Sequence, residues 1–115
     1  MGKSLIAVLG IGKGSWGHIN RLVSQEPWDR VLLVSNDWAK ANFAPAKEVE
    51  WLIVNNRAPF DVIKDTIKEK LPGNEVCISL ISGGGKEHMA LIAALKESSK
   101  EFQIVTLTAG GVKYY

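Results

Sequence analysis

Two apolar runs that scarcely alternate, Leu5-Ile6-Ala7-Val8-Leu9 and Val76-Cys77-Ile78-Ser79-Leu80-Ile81, each pass into a glycine-rich segment. A strand with one solvated face alternates apolar and polar residues, whereas a strand covered on both faces has no need to. The two runs therefore predict central strands of a parallel sheet with helices on both sides. Three further short runs complete a set of five strands: Ser4–Leu9, Arg30–Ser35, Val49–Asn55, Glu75–Ile81 and Phe102–Thr108.

Between these runs the period becomes helical. Phe60, Ile63, Ile67 and Leu71 form one stripe, with Lys64, Asp65, Lys68 and Glu69 on the other side. Pro59 suits the first turn of that helix, and Pro72-Gly73 ends it. Ile19, Leu22 and Val23 make a shorter stripe that stops near Pro27, and Trp38–Phe43 reads as a short helix before Pro45. In the helix predicted over Lys86–Ser98, apolar residues run almost all the way round. That pattern predicts packing on two sides, against the sheet and against a second subunit.

Strands alternating with helices place the chain in the α/β class. The expected architecture is a Rossmann-like three-layer sandwich with a mainly parallel five-stranded sheet, order 3-2-1-4-5, and right-handed crossovers. Strands 1 and 4 then adjoin where the winding reverses, and ligands of open α/β sheets bind there, outside the carboxyl ends of the strands. The two glycine segments become spatial neighbours. A length of 115 residues, 46% of them hydrophobic, suits one domain over residues 1–115 with a real core. A lone cysteine, Cys77, rules out an internal disulfide and fits a reducing cytoplasm. Cys77 itself reads as an inert core residue. No apolar run reaches the roughly 18 residues of a membrane span. The start of the chain does not read as a signal peptide, because its apolar stretch runs straight into glycines. An end so close to the fifth strand, at Tyr114 and Tyr115, reads as the edge of a longer protein.

The formal charge of +2 is too small to mark a nucleic-acid surface, but its distribution is uneven. Loops at the carboxyl edge carry Lys13, Lys40, Arg57, Lys86 and Lys113 against Asp37 and Glu87. Loops at the amino edge carry Arg30, Lys47 and Lys100 against Glu26, Asp29, Glu48, Glu50, Glu75 and Glu101. A basic rim on a nearly neutral protein attracts anions to that rim.

The first loop, Gly10-Ile11-Gly12-Lys13-Gly14-Ser15-Trp16-Gly17, holds G-x-G-x-x-G at Gly12, Gly14 and Gly17 between a strand and a helix. Glycines let the backbone approach a phosphate, and the helix start adds unpaired N–H groups and a positive dipole end. Asp37 lies about 20 residues further on, where a dinucleotide fold places its ribose-binding acid. The spacing after Lys13 excludes a Walker A loop. The second loop, Ser82-Gly83-Gly84-Gly85-Lys86, directly precedes the third predicted helix. A turn needs one or two glycines, so a third points to exposed backbone amides. Lys86 opposes the helix dipole there, a conflict that a bound anion relieves. Trp16 and Trp38 flank this rim and offer stacking faces for a base. Trp28 and Trp51 read as packing residues. His18 and His88, near helix starts, are acid–base candidates, though helix-start polar residues are the commoner finding. Without a neighbouring acidic cluster they make no metal site.

The run Ser82-Gly83-Gly84-Gly85-Lys86-Glu87-His88-Met89 resembles the T-G-G-T-K-x-M motif of CARF domains, the CRISPR-associated Rossmann-fold sensors. The preceding apolar strand, the methionine and the small-residue helix that follow are also similar. The plan of the remaining chain is similar, but only the second loop is specific. Gly85 stands where the family has its second hydroxyl, and no effector domain follows. The resemblance implies a homodimer that binds a cyclic oligoadenylate across its two-fold axis, in an antiviral defence setting, with an effector domain or partner chain as its reader and no cofactor. The ligand-binding positions it implies are Ser82, Gly83, Gly84, Gly85 and Lys86, joined by Lys13, Gly14 and Ser15 of the first loop; Gly12 and Trp16, read from the loop itself, complete the candidate ligand-binding set. Two rival functions remain. One is a metal-independent ring nuclease, with Lys86, His88 and Ser15 as its catalytic candidates. The other is a dinucleotide-binding domain using Gly12, Gly14, Gly17 and Asp37, although so short a chain leaves little for a substrate domain.

Overall fold

A computed structural model describes residues 2–115. Its sheet has six strands in the order β3-β2-β1-β4-β5-β6. They are β1 (Lys3–Val8), β2 (Arg30–Ser35), β3 (Glu50–Ile53), β4 (Glu75–Ser79), β5 (Phe102–Thr108) and β6 (Gly111–Tyr114). The first five are parallel, as the continuous apolar runs require, and β6 alone runs antiparallel to β5. Four α-helices connect them: α1 (Trp16–Gln25), α2 (Asp37–Asn42), α3 (Phe60–Lys68) and α4 (Gly85–Glu97).

Both faces of the central strands are buried, and their side chains divide by parity. On one face Leu5, Ala7, Leu9, Val31, Leu33 and Cys77 pack against Ile19, Leu22 and Val23 of α1 and against Ala39 and Phe43 near α2. On the other, Ile6, Val8, Leu32, Val34, Val76 and Ile78 pack against Ile63 and Ile67 of α3 and Ala90, Leu91, Ala94 and Leu95 of α4. This is the three-layer sandwich. Burial pushes the Cys77 thiol pKa up, in keeping with an inert core residue.

The departures from the sequence reading are local. β3 and β4 stop short of the apolar runs that predict them, because Val54, Leu80 and Ile81 already belong to loops at the carboxyl edge. The sixth strand is new. Gly111, with φ +107°, turns the chain back, and the Thr108 hydroxyl donates to the Gly111 carbonyl at 2.8 Å. Val112 and Tyr114 then close the α1 face of the core. The hydroxyl of Tyr114 donates to Glu26, while Lys3 Nζ lies 4.1 Å from the centre of its ring. Trp28 and Trp51 do pack: Trp28 Nε1 donates to the Leu22 carbonyl at 2.8 Å, and Trp51 meets Phe43 edge to face. α4 lies against the sheet and alongside α3, where Lys64 and Lys68 both reach Glu97, at 2.9 and 3.3 Å. Its Met89 is left 60% exposed.

Candidate functional site

β1 and β4 lie side by side, in register from Lys3↔Glu75 to Ala7↔Ser79. Their chains leave the sheet at the same edge, so the two glycine loops meet. The meeting is backbone to backbone. A Cβ on Gly10 would lie 2.9 Å from the N and Cα atoms of Gly83. Gly83 has φ +90°, and a Cβ there would run into Val8 Cγ1 at 2.2 Å. Glycine is therefore demanded by packing at these two positions. At Gly12, Gly14, Gly17 and Gly85 a Cβ would meet nothing within 4 Å, and none of them has positive φ. The fold does not require glycine there.

Around this junction lies a cleft of about 300 Å³, at the lower end of the range for small-molecule pockets. Leu9, Val34 and Val54 supply apolar wall, while Gly10 to Gly12 and Ser82 to Gly84 supply backbone. Ser35 and Asn36 after β2, Asn56 after β3, and Glu87 complete the lining. An adjoining open depression holds Asp37 with Ile11, Asn36, Asn55 and Asn56. The cleft thus sits at the reversal of winding, as the topology predicts.

Two of the helices start at this edge, α1 after the first glycine loop and α4 after the second. Neither α1 nor α4 has a side-chain cap from its N-cap residue, Ser15 and Gly84 respectively. By contrast, Asn36 caps α2, its side chain accepting from Ala39 N–H at 2.8 Å. α1 thus starts without a side-chain cap, while at α4 Glu87 Oε2 accepts from Gly84 N–H at 2.9 Å and leaves the remaining first-turn N–H groups without an intrahelical partner.

Several residues singled out in the sequence hold this geometry in place. Ser82 is only 3% exposed, and its Oγ accepts from Gly10 N–H at 2.9 Å, joining one loop to the other. His88 Nε2 donates to the Ser82 carbonyl at 2.7 Å. A carbonyl only accepts, so this nitrogen carries the proton. His18 turns toward the carboxyl end of β5: its Nε2 accepts from Leu107 N–H at 3.2 Å, so it does not share the Ser82 carbonyl with His88. Trp16 is 8% exposed, with its Nε1 donating to the Gly10 carbonyl at 2.8 Å and its ring packed on Trp38 and Phe43. It shapes the first loop and has no free face for a base. Trp38, 47% exposed, has one.

The cations stand at the rim. Lys86 Nζ donates to the Asn56 carbonyl at 3.2 Å, and Lys13 Nζ lies 5.5 Å from the centre of the Trp38 ring. Ser15 Oγ donates to the Gly12 carbonyl at 3.3 Å, closing the short turn over Lys13–Ser15. Sequence reasoning missed Ser35, Asn36, Asn56 and Glu87. Asn36 and Asn56 follow β2 and β3, and the rule that loops at the carboxyl edge make the site would have found them. Among the described residues, no group of three or more His, Cys, Asp or Glu side chains is placed to hold a metal ion, and no helix is long and apolar enough to cross a membrane.

No protein-family model matches the sequence, and no curated protein sequence does. Among solved structures, the chain is similar to Enterococcus italicus Csm6 bound to cyclic hexa-2'-fluoro-hexa-dAMP. The TM-score is 0.60 and the identity 18%, over 95% of this chain and 34% of that one. The chain thus spans about a third of the length of the protein it matches. At this identity the likeness is one of architecture: the chain is a Rossmann-like α/β domain with the fold of part of Csm6.

Proposed function

We propose that this domain is a CRISPR-associated sensor of the CARF type that binds a cyclic oligoadenylate across the axis of a homodimer. The observation that carries the reading is the junction of two glycine loops at the carboxyl edge, where four glycines are bare without any demand from the fold. Exposed amides of Gly12, Gly14 and Gly85, with Lys13 and Lys86 beside them, suit the phosphates of an oligonucleotide. Trp38 suits stacking of an adenine. The ligand class rests on the motif resemblance at Ser82–Met89, and the shared fold of a Csm6 solved with a cyclic adenylate analogue supports it. A ring with repeating units suits a two-fold site, each chain contributing one copy of both loops.

Calorimetric titration with cyclic tetra- and hexaadenylate, beside NAD, tests the reading. The expected result is one ring bound per two chains, with affinity mostly intact in Asp37→Ala. Tight NAD binding that Asp37→Ala abolishes would replace the sensor with a dinucleotide domain. Product analysis after incubation separates binding from ring cleavage, the enzymatic rival.

A further inference from the structure

We propose that Ser35 and Ser82 are positioning residues that grip the first glycine loop from both sides, so that its free amides and Lys13 meet a ligand at a preset place. The inference rests on the nucleotide-binding reading above. β1 lies between β2 and β4, and its chain runs on through Leu9 and Gly10 into the loop. All four backbone polar groups of these two residues are bonded within the chain. Leu9 N–H donates to the Val34 carbonyl at 2.9 Å, and the Leu9 carbonyl accepts from Ser35 Oγ at 2.6 Å. Gly10 N–H donates to Ser82 Oγ at 2.9 Å, and the Gly10 carbonyl accepts from Trp16 Nε1 at 2.8 Å. One serine ends β2 and the other follows β4, so the exit of β1 is held from each neighbouring strand. Both serines are almost fully buried, at 4% and 3% exposure. The next residue, Ile11, is 69% exposed, and a Cβ on Gly12 or Gly14 would meet nothing within 4 Å. The tied and the free parts of the loop thus meet between Gly10 and Ile11.

Hydrogen-bond accounting keeps Ser35 off a bound phosphodiester, although it lines the cleft. A serine hydroxyl has one proton, and Ser35 gives its proton to the Leu9 carbonyl. A phosphodiester oxygen only accepts, so Ser35 reaches one only by releasing Leu9. Ser82 keeps its own proton, yet its lone pair is what joins the first loop to the second. Leu9 is buried, so a carbonyl freed there loses its partner without regaining water. The exit of the loop is therefore ordered on folding. A ligand that meets Lys13 and the amides beyond Gly10 then bears less of the entropy cost of ordering them.

The test measures melting temperature and affinity for cyclic tetra- and hexaadenylate. It compares the full chain with Ser35→Ala, Ser82→Ala and Ile67→Val, each alone and together with Lys13→Ala. Ile67→Val is the control: it removes a buried methylene from α3, on the opposite face of the sheet, and touches neither loop. Each serine variant should lose about tenfold in ring affinity, whereas Ile67→Val should melt lower and bind as the parent does. With Lys13→Ala already in place the serine losses should shrink to about threefold or less, because a contact that is gone cannot be misplaced. Equal losses with and without Lys13→Ala would make the hydroxyls direct ligand contacts. No loss in the serine variants, or the same loss in Ile67→Val, would make their bonds purely structural. Each of these results overturns the positioning role and leaves the sensor reading intact. If the folded parent binds neither ring, the sensor reading fails, and the same cycle with NAD then decides the positioning role, which any ligand of the first loop shares. A parent that binds neither the rings nor NAD overturns both.

Discussion

At the scale of single residues, the glycines divide into two kinds whose substitutions separate fold from function. Gly83→Ala forces a Cβ to within 2.2 Å of Val8 Cγ1, a buried central-strand side chain, at a φ of +90° that suits glycine alone. It should cost about 2–5 kcal/mol, read as a lower denaturation midpoint. Gly12 has φ −77° and open space around its Cα. Gly12→Ala should leave stability within about 1 kcal/mol of the parent while weakening ligand binding, because only the ligand needs that approach. Lys86 makes a parallel case. Its ammonium touches only the exposed side of the Asn56 carbonyl within the chain, and it stands in the first turn of α4 against the dipole. Lys86→Ala should melt within about 0.5 kcal/mol of the parent. It should also lose a charge-assisted contact of about 1.5–3 kcal/mol, one to two decades in affinity. A mutant that melts well below the parent and binds every nucleotide as the parent does would make Lys86 structural.

At the scale of elements, His18 ties the start of α1 to β5. Its Nε2 accepts from Leu107 N–H, so the contact needs a neutral imidazole. Burial, with Arg21 nearby, holds its pKa below the ordinary value of 6.5. Between the lowered folded value and 6.5 the unfolded chain binds more protons, so stability falls as pH falls through that window and is complete above it. Melting temperature should therefore drop between about pH 7 and pH 5, with the loss centred on β5 and β6 in hydrogen exchange. Glu50, bonded to Arg30, and Glu97, bonded to Lys64, have pKa values held below the ordinary carboxylate value. Their contributions disappear at lower pH and leave this window to the histidine. His18→Gln, with no titrating imidazole, should flatten the profile there. An unchanged slope in that variant would show that another group carries it.

At the scale of the whole molecule, the sensor reading requires two chains. α4 buries Ala90, Leu91, Ala94 and Leu95 within its own subunit yet leaves Met89 60% exposed, directly after the second glycine loop. Light scattering should find a dimer, and a cyclic ligand held by both copies should raise the dimer fraction and the melting temperature together. A monomer at high concentration, with or without cyclic oligoadenylate, would count against the two-fold site. Asp37, on the adjoining depression with Asn36 and Asn55, belongs to this test too, because NAD bound by a single chain would give saturation without dimerisation.

The five parallel strands and their order were legible in the sequence because burial on both faces leaves a direct trace, an apolar run without alternation, and because alternating strands and helices permit few windings. The approach of Gly10 to Gly83 followed from that order, across more than 70 residues of chain. β6 was not legible: Gly111-Val112-Lys113-Tyr114 is short, and only its pairing with β5 and the support of Val112 and Tyr114 by α1 make it a strand. Nor could residue type alone assign partners. The two histidines look alike beside their helix starts, yet one binds the Ser82 carbonyl and the other Leu107 N–H. Trp16 and Trp38 look alike on the rim, yet packing buries one and leaves the other open. Glu87 enters the cleft only because Gly84 N–H stands within its reach at the meeting of the two loops. Strand order follows from local burial patterns written along the chain, whereas the partner of a polar side chain depends on distances that exist only after the sheet has formed.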